Sequence, residues 1–226
     1  MLSAPCLQCG APVEYDPEFQ LGNKDTGVVC ADCVRRQDWE RRDLARISAL
    51  HDAWQRICPP RYRNTVVESL PYPGRSQEAL SWEFGQGMGL NLWGFPDTGK
   101  TRTLYVVLRR FHMAGKQVKV FAPGDFSSQL ASRDFSRSAW VRGLCSLDFV
   151  AFDDMDKLNL TREQELVFFG LLDKRMSHNL PCVFTHNSNA ADLEYHFRNG
   201  RAMVRRIRQF TKSIHFPERT VQQRLF

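Results

Sequence analysis

The chain has 226 residues, 42% hydrophobic and 25% charged, a composition that predicts a soluble protein with one sizeable core and a small appendage. No run approaches the roughly 18 apolar residues of a membrane helix, and the N-terminus lacks the basic start and apolar run of a signal peptide, so we expect a cytoplasmic protein. The net charge of +6 permits contact with nucleic acid or another polyanion, although a bound nucleotide also requires basic groups.

Four of the seven cysteines form two Cys-x2-Cys pairs near the N-terminus. The pairs are Cys6 with Cys9, and Cys30 with Cys33. Four thiolates arranged in this way suit tetrahedral zinc, and a module of about 36 residues cannot bury enough apolar surface to fold without the metal. A redox dithiol is the alternative, but neither pair lies in a strand-helix context. We therefore predict a structural zinc site in a zinc-ribbon-like module, residues 1–36. The other cysteines, Cys58, Cys145 and Cys182, are expected to be buried apolar residues.

A linker is predicted for residues 37–80. Apolar residues recur at helical spacing over residues 38–57, which predicts an amphipathic helix. Pro59 and Pro60 end this helix, because proline cannot donate to the helical ladder. We expect residues 59–80 to form an irregular connector, and residues 81–226 to form the third region of the chain.

Strand and helix patterns alternate through this third region. Strands are predicted at Leu90–Trp93, Val118–Phe121, Leu147–Phe152, Cys182–Thr185 and Ser213–Phe216. Helices are predicted at residues 101–114, from 125 to about 142, and at 161–177, 190–197 and 202–210. Such alternation predicts an α/β fold with a parallel five-stranded sheet and helices on both faces.

A phosphate-binding loop is predicted where the first strand of this region meets its helix. The segment Gly94-Phe95-Pro96-Asp97-Thr98-Gly99-Lys100-Thr101 has the pattern Gly-x4-Gly-Lys-Thr, in which glycines let backbone N–H groups face phosphate oxygens. Lys100 is expected to reach the β- and γ-phosphates, and the Thr101 hydroxyl to ligate Mg²⁺. Arg102 extends the predicted nucleotide-binding segment by one residue. The flanking strand and helix favour this interpretation over a simple glycine turn.

Polar residues also follow two later strands. Asp153 follows an apolar strand and is expected to hold Mg²⁺ or its water. Asp154 occupies a position that often carries a glutamate that orients the attacking water. Asn187 is a candidate to position that water, although asparagine after a strand is often a turn former. The basic helix at residues 201–208 can supply an arginine to a neighbouring copy, or it can be a solvated face or a DNA-phosphate patch.

Residues from about 58 to 216 resemble the AAA+ ATPases of the bacterial helicase-loader and IstB-like group (the DnaC/DnaI type). The segments that carry the resemblance are Cys58-Pro59-Pro60-Arg61-Tyr62-Arg63, Gly94–Thr101, Phe152-Asp153-Asp154, Thr185-His186-Asn187 and Val204-Arg205-Arg206-Ile207. The resemblance implies that the strand before Asn187 lies between the phosphate-loop strand and the Asp153 strand. It implies that ATP is hydrolysed to ADP and phosphate. It also implies ATP-dependent self-assembly, with Arg206 or Arg205 reaching the next copy.

The resemblance further implies protein and DNA partners. The N-terminal region is expected to dock a replicative helicase and the ATPase region to contact single-stranded DNA, which describes a DNA-replication accessory. One alternative is an IstB-like transposition helper that works on duplex DNA with a transposase. Another is a nucleotide-gated adaptor in which Asp154 supports little hydrolysis. Tyr62 and Arg63 are candidate contacts to the base.

Overall fold

The computed structural model describes residues 2–15, 27–83, 88–132 and 136–218. Within this part, the chain divides into two compact units, with the division between Asp52 and Ala53. The division falls inside one long helix, and the domain boundaries predicted above remain a prediction. Of the helices in the described ranges, none is both long and apolar enough to cross a membrane.

The first unit contains a small antiparallel hairpin followed by the start of a helix. Strand β1 (Leu2–Pro5) pairs with β2 (Pro12–Tyr15). Helix α1 (Ala31–Ile57) begins seven residues before the predicted start at residue 38 and ends at the predicted residue. Its first turn is closed by the Val34 N–H, which donates to the Cys30 carbonyl at 3.0 Å. The negative side chain of Asp32 also favours a helix start at this point.

The second unit is built on a five-stranded parallel sheet, as predicted. Its strands are β3 (Gly89–Gly94), β4 (Val118–Phe121), β5 (Phe149–Phe152), β6 (Cys182–His186) and β7 (Thr211–Phe216). The strand order is β4-β5-β6-β3-β7, and each neighbouring pair is parallel. Strand β6 therefore lies between β3 and β5, and the polar residues that follow these three strands meet at one edge.

Two apolar cores cover the two faces of this sheet. Alternate residues of a strand point to opposite faces, so Phe149 and Ala151 enter one core while Val150 and Phe152 enter the other. Trp54 belongs to the first of these cores. Cys58 and Cys182 are buried as predicted, whereas Cys145 is only partly buried.

Helices flank the sheet, and most of them follow the predicted pattern. Helices α2 (Pro60–Arg63) and α3 (Pro73–Leu80) precede β3 in the chain. The helices that follow β3 are α4 (Lys100–Met113), α5 (Asp125–Ala131), α6 (Arg137–Ser146), α7 (Arg162–Ser177), α8 (Ala190–His196) and α9 (Gly200–Phe210). The single helical stretch expected to end near residue 142 is two helices, α5 and α6. Thr161 caps α7 in a capping box with Gln164.

The expectation of an irregular connector at residues 59–80 is wrong. This segment contains α2 (Pro60–Arg63), a 3₁₀ turn (Val67–Ser69) and α3 (Pro73–Leu80). Pro60 and Pro73 stand at the first helical position, where the missing N–H costs nothing and the fixed φ suits a helix. Helix α1 ends before Pro59, as predicted, and Pro60 and Pro73 each begin a new helix.

Candidate nucleotide-binding site and cysteine cluster

The loop between β3 and α4 has a curled backbone that requires glycine at two positions. Gly94 and Gly99 have φ values of 127° and 93°, in the region that favours glycine. A Cβ atom at Gly94 would lie 2.1 Å from the carbonyl oxygen of Phe216. The Phe95 N–H donates to that same oxygen at 3.0 Å, so the loop is fixed against the end of β7.

Lys100 is buried and lies across this loop. Its ammonium donates to the carbonyl oxygens of Gly94, at 2.9 Å, and of Phe95. Burial lowers the pKa of Lys100 to about 8, although carboxylates, foremost Asp154, act in the opposite direction. The ammonium is thus held by neutral acceptors, and a triphosphate would offer it stronger, charged ones.

A hydroxyl and carboxylate cluster stands at the start of α4. The Thr101 hydroxyl donates to Oδ1 of Asp153 at 2.9 Å, and the Thr185 hydroxyl donates to the same oxygen at 2.6 Å. Burial raises the pKa of Asp153, and these two hydrogen bonds oppose the rise. The structure therefore brings together the two residues predicted to hold Mg²⁺, a cation that prefers oxygen ligands. Thr185, which the sequence analysis did not assign to the site, completes the cluster.

Asp154 begins a tight turn and carries an ion pair. Its φ of 50° is left-handed, and its Oδ2 atom lies 2.5 Å from Nζ of Lys157. This contact raises the pKa of Lys157. The carboxylate predicted to orient water is therefore occupied by a neighbouring cation in this structure.

The loop that carries Asn187 is held by Asp156, a residue that the sequence analysis did not single out. Oδ2 of Asp156 accepts hydrogen bonds from the Asn187 N–H at 2.9 Å, the Ser188 N–H at 3.1 Å and the Ser188 hydroxyl at 3.0 Å. Asp156 thus joins the segment after β5 to the segment after β6. The sequence feature that could have indicated Asp156 is its position three residues after Asp153, in the same polar segment after the strand.

His186 connects this loop to the interior of the sheet. Its Nδ1 lies 2.8 Å from the Ser188 carbonyl oxygen, and its Nε2 lies 2.9 Å from Oδ1 of Asn91 on β3. Burial lowers the pKa of His186, which favours the neutral ring. The side chain of Asn91 also bonds to Ser213 on β7, at 3.3 Å, so a chain of polar side chains crosses β6, β3 and β7 and ends at the exposed Ser213.

Arg206 does not contact the phosphate loop within the described chain. Its guanidinium donates to Oδ1 of Asp173 on α7, with Nε at 2.8 Å and Nη2 at 2.7 Å. It also stacks 4.5 Å above the ring centre of Phe169. Its neighbour Arg205 is exposed.

The two residues predicted to contact the base, Tyr62 and Arg63, have different surroundings. Tyr62 stacks on Tyr105 of α4 at 5.0 Å between ring centres, and the guanidinium of Arg102 lies 5.8 Å from the Tyr62 ring. Arg63 instead donates to two main-chain carbonyls near the end of α1. Tyr62 and Arg102 therefore lie together at the start of α4, whereas Arg63 serves a structural contact.

The four paired cysteines form one cluster in the first unit. Their sulfur atoms all lie within 4.8 Å of one another, and Sγ of Cys9 is 3.7 Å from Sγ of Cys30. Tetrahedral zinc with bonds of about 2.3 Å places its sulfurs about 3.8 Å apart. The N–H groups of Cys30 and Gln8 point at Sγ of Cys6, at 3.3 and 3.5 Å, and these donors lower the pKa of Cys6 to about 6. The cluster therefore fits zinc.

The strand order, the curled glycine loop and the adjoining carboxylate define a P-loop fold of the AAA+ type. No protein-family model matches the chain, and no curated protein matches it. Solved structures do. The DnaC helicase loader matches with a TM-score of 0.55 and 17% identity over 73% of this chain and 98% of that one. DnaI matches with a TM-score of 0.54 and 20% identity, over 68% and 86% of the two chains.

The AMPPCP-bound DnaA from Aquifex aeolicus is also similar, with a TM-score of 0.58 and 16% identity over 70% of this chain. The present chain spans about half the length of the two AMPPCP-bound DnaA structures, with 50% coverage of each. These similarities confirm, at the level of the fold, the resemblance to AAA+ helicase loaders that the motifs predicted.

Proposed function

We propose that this chain binds ATP and Mg²⁺ at Gly94–Thr101 and acts as a DNA-replication accessory that loads or remodels a replicative helicase. The observation that carries the nucleotide site is the contact of Thr101 with Asp153 beside the curled loop. A phosphate loop needs a hydroxyl and a carboxylate at this point to hold the cation. The fold shared with DnaC and DnaI supports the replication role.

Each residue has a defined part in the proposed hydrolysis of ATP to ADP and phosphate. Loop N–H groups and Lys100 hold the β- and γ-phosphates, while Thr101 and Asp153 hold the cation. Magnesium, when bound, neutralises charge on the phosphate oxygens. Asp154 and Asn187 orient the attacking water. Arg206, once released from Asp173, reaches the γ-phosphate of a neighbouring copy in an ATP-dependent assembly.

The test measures ATP binding and steady-state hydrolysis with Mg²⁺, with and without single-stranded DNA and a replicative helicase. Lys100→Ala should abolish turnover, while Lys174→Ala, which removes an exposed lysine on α7, should leave it unchanged. The same samples should load helicase onto single-stranded DNA only when ATP is present. A chain that binds neither helicase nor single-stranded DNA in any nucleotide state would exclude the accessory role.

A nucleotide-gated adaptor is the second candidate, because Lys157 occupies the Asp154 carboxylate. In that case ATP binds tightly, turnover stays near zero and DNA has no effect. Lys157→Ala separates the two functions. If the ion pair restrains an active Asp154, this substitution raises turnover; if Asp154 is too short to orient water, turnover stays near zero.

A further inference from the structure

Helix α9 has an apolar face and an arginine face. Met203, Val204 and Ile207 are buried on the apolar side. The exposed side carries Arg201, Arg205 and Arg208, at spacings of four and three residues that place them in one row along the helix. Arg198 lies just before the helix and is also exposed. We call these four residues the arginine row.

The arginine row is not neutralised by the described chain. On α1, by contrast, Arg35, Arg41 and Arg46 each pair with an aspartate three residues earlier. In the described ranges, no ion pair or hydrogen bond joins a member of the arginine row to a carboxylate. Like charges three and four residues apart destabilise a helix, and Arg201 stands in the first turn, where the helix dipole disfavours a cation. The row therefore has a local electrostatic cost that a bound anion would relieve.

Two adjoining surface grooves run along the arginine row. The larger groove, of about 700 Å³, lies between α7 and α9 and is lined by Arg198, Arg201 and Arg205 among others. The second, of about 500 Å³, is lined by Arg201, Arg205 and Arg208 among others. Two carboxylates line these grooves, and one of them, Asp173, is already bound by Arg206. The grooves thus present a concave, strongly positive surface.

We propose that the arginine row binds the phosphate backbone of a nucleic-acid strand without reading its sequence. From Arg201 to Arg208 the helix rises about 10 Å, so the row suits a repeating anion better than a single small one. Guanidinium groups bind phosphate and carboxylate oxygens alike in a bidentate manner. The regular spacing of the row, which suits a repeating backbone of anions, is what favours nucleic acid over an acidic protein surface. The inference rests on the proposed function only in taking DNA as the nucleic acid.

The test measures binding of a fluorescent single-stranded DNA homopolymer by anisotropy over a range of salt concentrations, with a duplex of the same length in parallel. The variant combines Arg201→Ala, Arg205→Ala and Arg208→Ala. A control with the same change in charge combines Arg42→Ala, Arg109→Ala and Arg162→Ala, which are exposed elsewhere. For single strands, the slope of log affinity against log salt changes by about 0.7 for each phosphate contact.

We expect the triple variant to bind single-stranded DNA at least about 10-fold more weakly and to lower the slope by about 2, whereas the control changes the slope little. Nucleotide affinity should be the same in all three proteins, which shows that the variant is folded. A variant that keeps the wild-type DNA affinity and slope would overturn the inference. If this variant keeps its DNA affinity but its ATP turnover no longer depends on protein concentration, the row is an interface between copies. If the variant keeps its DNA affinity and loses only the binding of a protein partner, the row binds an acidic protein.

Failure of this inference is distinguishable from failure of the proposed function. A wild-type protein that hydrolyses ATP but does not bind nucleic acid excludes the arginine row as a DNA site and leaves the ATPase intact. A protein that binds DNA through the row but does not bind ATP excludes the proposed function and leaves the row in place.

Discussion

The side-chain hydroxyl of Thr185 donates to Oδ1 of Asp153 at 2.6 Å and accepts from the N–H of Asp154 at 2.8 Å. One hydroxyl on β6 therefore fixes both acidic residues that follow β5, the neighbouring strand. Because Asp153 also accepts from Thr101, the phosphate-loop helix, β5 and β6 are joined through a single carboxylate oxygen. The geometry of the proposed magnesium site depends on this connection.

Replacing Thr185 by valine keeps the shape of the side chain and removes the hydroxyl. We expect the free energy of unfolding to fall by about 1–3 kcal/mol, because the N–H of Asp154 loses its acceptor. ATP turnover should fall further than nucleotide affinity, since Asp153 and Asp154 lose their alignment while the phosphate loop is untouched. Chemical denaturation and steady-state kinetics measure the two effects. Thr185→Ser keeps the hydroxyl and should stay near wild type; an equal loss in both variants would contradict the prediction.

Local sequence patterns were sufficient to predict much of the fold and part of the site. The phosphate loop lies in one continuous segment, so its glycines and Lys100 could be read from their spacing. Asp153 follows an apolar strand, another local signal. Thr185 and Asp156 were missed because their partners lie about 30 residues away and meet only when β6 pairs with β5. The sequence shows that two strands exist, but the hydrogen bonds across their ends depend on register.

The errors in secondary structure have equally local causes. A proline in the sequence can mark either the end of one helix or the start of the next. Pro60 and Pro73 mark starts, those of α2 and α3. Helix α1 starts among the cysteine pairs because Cys30 supplies the carbonyl that closes its first turn. Neither outcome can be read from apolar periodicity, which is weak in segments this short and polar.

Asp156→Ala removes the acceptor of three hydrogen bonds from the loop at Asn187 and Ser188. We expect ATP turnover to fall about 10- to 100-fold, because the proposed water-positioning side chain loses its placement. The dissociation constant for ATP should change little, since in the described part of the chain Asp156 makes no hydrogen bond to the phosphate loop and acts on Lys100 only through its charge. Single-turnover kinetics and nucleotide titration separate the two quantities. Asp156→Asn retains one oxygen acceptor, so its ATP turnover should lie between those of the wild type and Asp156→Ala. A loss of ATP affinity as large as the loss of turnover would contradict the assignment.

Burial lowers the pKa of Lys100 to about 8, which predicts how nucleotide binding depends on pH. Without nucleotide, we therefore expect about half of the molecules to carry a neutral Lys100 near pH 8, and a bound triphosphate to restore the charge. Affinity for a non-hydrolysable ATP analogue with Mg²⁺ should therefore be constant below about pH 7.5. Above pH 8 it should weaken about 10-fold per pH unit until the pKa of the bound form is reached.

Calorimetry in two buffers of different ionisation enthalpy checks whether nucleotide binding protonates Lys100, because binding near pH 9 should then take up about one proton. The folding stability of the nucleotide-free protein should change with pH in the direction opposite to nucleotide affinity. The folded pKa lies below the unfolded value of about 10.4, so the folded state holds fewer protons between these values and this group adds stability as the pH rises. Lys100→Arg stays charged and should abolish the proton uptake. Uptake that persists in this variant would assign the effect to another group.

The cysteine cluster predicts one zinc ion per chain with a structural role. Elemental analysis should find that ion in the purified protein, and Cys9→Ser or Cys30→Ser should lower its affinity, because each removes one of four thiolates. Cys145→Ser is the matched control, since Cys145 is only partly buried and lies outside the cluster. Nucleotide affinity should survive chelation, because the phosphate loop belongs to the second compact unit. Equal zinc content in Cys30→Ser and the control would exclude the site, whereas loss of nucleotide binding on chelation would show that the two units are coupled.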